Sequence, residues 1–306
     1  MPRDPGAATA RVPAGPLPHR LPRRLVAGLL LTGVSWALYW TAVTAWTEVF
    51  FFGLWSGYVL IVDGLVHRRT GDSLLDRGRA GFVLVFVLSV PFWWAFEWCN
   101  WRLHNWSYVH PVAQDRLSHV LLFSLCFSTV LPALFETAEL LGSTRLFRGS
   151  WRGPRLPHTT ALSWAVTVLG LLALVLMLLF PRQLFPLVWV FPVLVLDPVN
   201  CRAGRPSLWG EVARGRWRLL FLLALTGLGC GLLWEFWNEW TAGVHWRYHL
   251  PAFLSHPHLF RMPLPGYLGY VPFAGSAYAC YQSARHLLAP RAAGPVDLRT
   301  PAGPTR

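Results

Sequence analysis

The residues in this chain with the clearest capacity for chemistry are acids that stand inside long apolar stretches. Glu97 and Glu235 each lie three residues before an asparagine, Asn100 and Asn238, so acid and amide share one helix face. An ionisable group at the centre of a membrane span costs at least about 2.5 to 3.5 kcal/mol and is therefore a functional candidate. A carboxylic acid kept protonated by apolar surroundings can donate a proton. Both glutamates are predicted catalytic acids; the alternative is that they join neighbouring helices by hydrogen bonds.

Glu136 is the third predicted catalytic acid. It follows Pro132, and a proline can open the backbone hydrogen-bond ladder of a membrane helix. The corresponding stretch after Pro272 has no acid. Asp63 and Asp197 lie at the ends of apolar stretches close to arginines, and we expect them to form caps or ion pairs.

Aromatic residues surround these acids in the sequence, which contains 18 tryptophans. Aromatic faces stabilise cations by roughly 0.5 to 2 kcal/mol each. A buried acid among aromatic rings suits protonation of an alkene and control of the resulting carbocation, and it equally suits helix packing. The predicted substrate-binding residues are Asn100, Asn238, Trp94, Trp98, Trp234, Trp237, Trp106, Tyr108, Trp246 and Tyr248.

Eight apolar stretches are long enough to carry these residues across a bilayer, which takes roughly 20 residues per helix. They are residues 25–45, 48–66, 80–101, 119–141, 160–180, 184–200, 217–240 and 266–288. Only 13% of the 306 residues are charged, against about 25% in soluble domains. The sequence therefore predicts an all-α integral membrane protein and argues against a soluble enzyme.

The net charge of +13 gives the predicted orientation. All 27 basic residues are arginines. With a cytoplasmic N-terminus, 22 of them fall in cytoplasmic segments and five outside, as the positive-inside bias requires. We therefore expect both termini on the cytoplasmic side of the cell's inner membrane, with membrane lipid as a partner. The dispersed charge argues against a nucleic-acid partner, and the oligomeric state stays open.

An internal duplication links the two halves of the chain. Trp55 and Asp63 recur 134 residues later, the two E-x-x-N motifs are 138 residues apart, and the W-x-Y segments, residues 106–108 and 246–248, are 140 apart. An ordered match of this kind predicts a repeat architecture. Parallel four-helix repeats are expected at 25–145, the first half, and 158–290, the second half. A linker (146–157) and two disordered cytoplasmic tails (1–24 and 291–306) complete the predicted organisation.

Cofactor chemistry has no motif in this sequence. Seven of the eleven histidines fall in the predicted outer loops, but their spacing matches no zinc pattern. No haem-binding C-x-x-C-H and no dinucleotide-binding glycine motif stands in a suitable context. The sequence therefore predicts neither a metal nor a cofactor.

The pattern around the acids resembles a known family. Glu97, the W-x-Y segment at 106–108, and Pro132 with Glu136 are similar to the motifs of the integral-membrane lycopene cyclases and their carotenoid hydratase relatives. The resemblance implies a cofactor-free, acid-catalysed reaction on an apolar polyene, with the membrane carboxylates as proton donors or cation stabilisers. The cyclase motif is P-x-E-E or P-x-E-D, whereas here the acid stands four positions after the proline. The stretch 262–274 also resembles an uncharacterised family of bacterial multi-pass proteins, which implies no activity.

Three classes of function follow from these observations. A membrane enzyme acting on an isoprenoid or carotenoid predicts that Glu97, Glu136 and Glu235 line one intramembrane pocket. A parallel-repeat transporter predicts a polar pathway that also engages Asp63 and Asp197. A non-catalytic scaffold predicts that neighbouring helices satisfy all the acids and leave no cavity for a ligand.

Overall fold

A computed structural model describes residues 21–41, 47–109, 115–149, 151–241, 243–288, 296 and 298. Most of the two predicted tails lies outside these residues. The helices are α1 (Arg23–Thr41), α2 (Thr47–Thr70), α3 (Arg79–Leu103), α4 (Arg116–Phe127), α5 (Val130–Gly142), α6 (Arg145–Arg148), α7 (Thr160–Leu179), α8 (Pro181–Leu184), α9 (Phe191–Arg202), α10 (Leu208–Ala213), α11 (Arg218–Glu239) and α12 (Tyr270–Leu288). The strands are β1 (Trp106–Val109), β2 (His245–Tyr248), β3 (His258–Leu259) and β4 (Met262–Pro263). Short 3-10 segments cover Phe185–Trp189, Ala252–Leu254 and Leu264–Gly269.

Six helical segments of the described chain are long and apolar enough to cross a membrane. They are Glu48–Thr70, Arg79–Leu103, Arg116–Gly142, Thr160–Leu179, Pro181–Arg202 and Arg218–Glu239. They coincide with the second to the seventh predicted spans. The first and eighth predicted spans contain helices α1 and α12, which are not among the six. The helical multi-pass character is confirmed, while eight spans in two repeats stay a prediction.

The fourth predicted span is interrupted between α4 and α5, and a serine from α3 occupies the break. Ser89 Oγ donates to the carbonyl of Phe127 at 2.5 Å and accepts the N–H of Leu131 at 3.0 Å. The interruption precedes Pro132, which has no N–H for the ladder. Ser89 thus binds the Phe127 carbonyl and the Leu131 N–H, two backbone groups that would bond to each other in a continuous helix.

The helices pack in corresponding pairs. α1 packs along α2 and α7 along α9, while α3 packs on α5 and α11 along α12. The halves meet where α5 contacts α11 and α3 contacts α12. A duplicated chain would pack in this way, although the duplication itself stays a prediction.

The two W-x-Y segments pair with each other across the halves. β1 and β2 are antiparallel, with Trp106 opposite Tyr248 and Tyr108 opposite Trp246. Alternate residues of a strand face the same side, so the tryptophan and tyrosine of each segment share a face. The pairing fixes one surface that carries aromatic side chains from both halves.

Candidate functional site

A cavity of about 110 Å³ lies between the halves, against the paired strands. Its walls are predominantly aromatic and include Trp93, Trp106, Tyr108, Trp189, Trp234, Trp246, Tyr248 and Tyr270. No lysine, arginine or histidine of the described chain is among the lining residues. The aromatic faces therefore give the cavity a potential that favours positive charge.

Three aromatic side chains hold the Glu97 carboxylate. Its Oε1 accepts the indole N–H groups of Trp93 and Trp106, each at 3.0 Å, and the hydroxyl of Tyr108 at 2.6 Å. Glu97 is half-buried, and its three donors line the cavity whereas Glu97 itself does not. The acid therefore stands directly behind the aromatic wall.

Glu235 is held in the same way in the second half. Its Oε1 accepts hydrogen bonds from Trp246 at 3.2 Å, Tyr248 at 2.6 Å and Tyr270 at 2.8 Å. The residue is fully buried, and its Oε2 has no hydrogen-bond partner among the described residues. All three donors again line the cavity. The second oxygen is thus available to carry a proton.

The tyrosines of the two strands are hydrogen-bond donors in this arrangement. Burial, and then the neighbouring carboxylate of Glu97, raise the pKa of Tyr108 well above the usual value of a phenol. Burial and the Glu235 carboxylate raise the pKa of Tyr248 in the same direction. Both hydroxyls therefore stay protonated at neutral pH.

The two predicted asparagines position the strands and do not line the cavity. Asn100 accepts the N–H groups of Asn105 at 2.9 Å and Trp106 at 3.2 Å, and it donates to the carbonyl of Trp106 at 2.9 Å. Asn238 donates to and accepts from the backbone of Trp246, both at 3.0 Å. Each amide therefore fixes the tryptophan that binds the glutamate one turn earlier.

The third donor to each glutamate comes from a different element. Trp93 lies one turn before Glu97 on α3, and the residue at the corresponding position of α11 is Gly231. A Cβ atom at Gly231 would lie 2.3 Å from the ring of Tyr270. The missing side chain on α11 therefore makes room for the tyrosine that α12 supplies.

Five of the predicted binding residues line the cavity, namely Trp106, Tyr108, Trp234, Trp246 and Tyr248. Three predicted tryptophans do not line it. Trp94 donates to Ser124 Oγ at 2.8 Å, Trp98 is 60% exposed, and the ring of Trp237 packs 4.8 Å from that of Trp55.

Glu48 is an acid of the cavity that motif spacing does not reveal. It lies in the first turn of α2, is 3% exposed, and lines the cavity beside Tyr39 and Phe51. An acid at the start of an aromatic-rich span is the available signal. Trp189 also lines the cavity and is not among the predicted binding residues. Its match to Trp55 in the predicted duplication could have indicated it.

Glu136 does not join the other two predicted catalytic acids. It lies on α5, six residues beyond Val130, which lines the cavity. It is fully buried, next to Asp63 and close to Glu139 and Arg77. None of the three glutamates is itself among the residues that line the cavity. The donors to Glu97 and Glu235 line it, whereas α5 carries Glu136 away from the strands.

The two aspartates hold loops, as expected. Asp63 pairs with Arg24 and accepts the N–H of Leu75 at 3.0 Å. Asp197 accepts the N–H groups of Leu208 and Trp209, each at 2.8 Å. In both halves the aspartate near a helix end thus accepts a backbone N–H that lies 11 or 12 residues later in the chain.

Within the described ranges, no three side chains of His, Cys, Asp or Glu lie close enough to hold a metal ion. One of the predicted outer-loop histidines, His110, lies outside those ranges.

Comparison with known proteins gives no relative. No family model, no curated protein and no solved structure matches the chain.

Proposed function

We propose that this multi-pass protein is an acid catalyst that acts on an apolar isoprenoid or carotenoid in the aromatic cavity. The observation that carries the proposal is the paired anchoring of Glu97 and Glu235. Each carboxyl group is bound by the tryptophan and tyrosine of its own W-x-Y segment, and those rings form the walls of one cavity.

The proposed reaction begins with a proton transfer to a carbon–carbon double bond. The π pair of the alkene takes the phenolic proton of Tyr108 or Tyr248 and forms the new C–H bond, and the adjacent carbon becomes cationic. The O–H bond of the neighbouring glutamic acid breaks at the same time and returns a proton to that tyrosine. Loss of a proton from a neighbouring carbon after ring closure gives a cyclised isomer, while capture by water followed by proton loss gives an alcohol. In both cases the released proton restores the acid, so no redox cofactor is consumed.

The residues of the site have separate roles in this reaction. Glu97 and Glu235 store the proton, and the hydroxyls of Tyr108 and Tyr248 stand between these acids and the cavity at 2.6 Å from the carboxyl oxygens. The indole and phenol faces stabilise the carbocation. Glu48, which lines the cavity itself, places a third carboxyl group beside a cation formed there.

Two observations favour catalysis over the alternative classes. A scaffold would leave no cavity beside the acids, whereas a cavity adjoins the donors of both glutamates. A transporter would engage Asp63 and Asp197 in a polar pathway, whereas these side chains bind an arginine and backbone N–H groups of loops.

Conversion of an acyclic polyene in cells tests the proposal. The chain is produced in a bacterial strain that accumulates an acyclic carotenoid, and extracts are compared by absorbance and mass. A cyclised product keeps the mass, and a hydrated one gains a water. We expect Glu97→Gln and Glu235→Gln each to lower conversion by roughly 100-fold or more, the contribution typical of a general acid.

Glu136→Gln is the matched control, since it also changes a buried glutamate but lies away from the cavity. It should leave conversion unchanged at equal membrane abundance. An extract unaltered by the wild-type chain, or full conversion by both cavity variants, would contradict the proposal.

A further inference from the structure

A second apolar space, the lateral cleft, lies between α3, α7, α9 and α12. It has a volume of about 400 Å³, against about 110 Å³ for the aromatic cavity. Its lining residues include Leu88, Ala95, Leu174, Pro192, Val195 and Ala284. These four helices thus enclose an apolar space that suits a hydrocarbon chain.

Two residues that line the cleft are smaller than their counterparts in the predicted duplication. Cys99 corresponds to Trp237, and Pro192 corresponds to Tyr58. The rings of Trp237 and Tyr58 pack against each other with their centroids 6.1 Å apart. The two small residues leave space where their counterparts carry aromatic rings.

A layer of packed aromatic rings separates the cleft from the cavity. Phe96 lines the cleft, and its ring stacks on those of Trp93 at 5.7 Å and Trp189 at 5.5 Å. Both tryptophans line the cavity. A ligand whose reactive end lies among the aromatic rings would therefore find the nearest large apolar space on the other side of Phe96.

We propose that the lateral cleft holds the unreacting hydrocarbon tail of the ligand whose reactive end occupies the aromatic cavity. The proposal rests on the proposed function and specifies its substrate as a long-chain polyene. The cavity alone is too small for a long chain, and the cleft supplies the larger volume.

Amines of different tail length test this assignment, because an ammonium group stands in for the carbocation. The full chain is placed in lipid nanodiscs, and binding of N,N-dimethylbutylamine and N,N-dimethyldodecylamine is measured by calorimetry. Affinities are expressed relative to the amine dissolved in the bilayer, so that partitioning of the tail into lipid cancels. Ala95→Phe and Ala284→Phe fill the cleft from two different helices, and Val87→Phe places the same ring on an exposed face of α3.

We expect the cleft variants to weaken binding of the dodecyl amine by about tenfold or more, as overpacking of a filled site does. Binding of the butyl amine should change by less than about twofold, a difference too small for the loss of a buried contact. Val87→Phe should change neither affinity.

Three other results would overturn the assignment. Unchanged dodecyl affinity in both cleft variants, with both amines weakened by Glu97→Gln, would reject the cleft as the tail site and leave the proposed function standing. A phospholipid that co-purifies with the wild type and is lost from Ala95→Phe would assign the cleft to membrane lipid. Failure of the wild type to bind either amine would contradict the proposed function itself.

Discussion

The first half of the molecule binds its glutamate with Trp93 of α3, and the second half binds its glutamate with Tyr270 of α12. The other two donors are the same in both halves. The third donor thus comes from the glutamate's own helix in the first half and from a neighbouring helix in the second half, where Gly231 leaves the space for it. Each glutamate therefore accepts three hydrogen bonds, although a different type of residue supplies the third donor in each half.

Burial differs together with the third donor. Glu97 is half-buried, whereas Glu235 is fully buried and its Oε2 has no partner among the described residues. In the proposed reaction this difference assigns separate roles to the two acids, with the more accessible Glu97 taking up the proton and the sealed Glu235 retaining it.

Filling the space at Gly231 should have the largest effect on stability of the variants that distinguish the two halves. Gly231→Ala places a methyl group against the buried Tyr270 ring, and we expect the free energy of unfolding in detergent to fall by about 3 kcal/mol. Gly229→Ala on the same helix meets nothing within 4 Å and should stabilise α11 by up to about 1 kcal/mol.

The double variant Gly231→Ala with Tyr270→Val sharpens the same test, because Val130 is the residue that corresponds to Tyr270 in the first half. The smaller side chain removes the clash, so the double variant should be more stable than the two single losses predict. If the stability loss of the double variant equalled the sum of the two single losses, Gly231 would not be needed to accommodate the Tyr270 ring.

The loss of stability on replacing each asparagine should increase with the number of backbone groups that it binds. Asn100→Ala leaves three backbone hydrogen bonds unmade and Asn238→Ala leaves two. We expect losses of about 2 kcal/mol and somewhat less, respectively, because a buried unpaired polar group costs about 1 to 3 kcal/mol. Thermal unfolding of the two variants measures the difference, and a larger loss for Asn238→Ala would contradict the ranking.

The third donors should be equivalent in strength although they come from different helices. Trp93→Phe and Tyr270→Phe each remove one hydrogen bond to a glutamate, which should cost about 1 kcal/mol. Trp93→Phe also removes one of the two fused rings of the indole, so its total loss should exceed that of Tyr270→Phe by the lost packing. Trp98→Phe is the control, since that side chain is 60% exposed. A loss confined to one of the two halves would show that only one glutamate depends on its third donor.

Glu136→Gln should have the smallest effect on stability. Its carboxyl group is fully buried beside the acids Asp63 and Glu139, and a neutral amide of the same shape removes a like charge from that group, so the change should be close to neutral or stabilising. Unfolding measured beside Glu97→Gln gives the contrast. A loss above about 2 kcal/mol would indicate that the Glu136 carboxylate is paired.

The helices and the principal acids could be predicted from the sequence because apolar length and buried charge are properties of composition. The same-face placement of Glu97 and Asn100 also follows from helical spacing. The hydrogen-bond partners of these residues could not be predicted, because the sequence does not show that the two W-x-Y segments form one antiparallel pair. That pairing sets the direction in which each tryptophan and tyrosine points.

The misplacement of Glu136 has a related cause. Its motif suggested a role shared with Glu97, but helical depth depends on where the chain is interrupted, and Ser89 sets that interruption from another helix. Glu48 was not predicted because it belongs to no motif. It reaches the cavity because α2 packs beside residues of the second half.

Deuterium incorporation tests the central claim most directly. The purified chain in nanodiscs is incubated with an acyclic polyene in deuterated water, and the product is analysed by mass spectrometry. Protonation by Glu97 and Glu235 predicts a product with one carbon-bound deuterium from solvent, formed by the wild type and by Glu136→Gln but not by Glu97→Gln or Glu235→Gln. Product that forms without deuterium, or at an unchanged rate in both cavity variants, would contradict acid catalysis at this site.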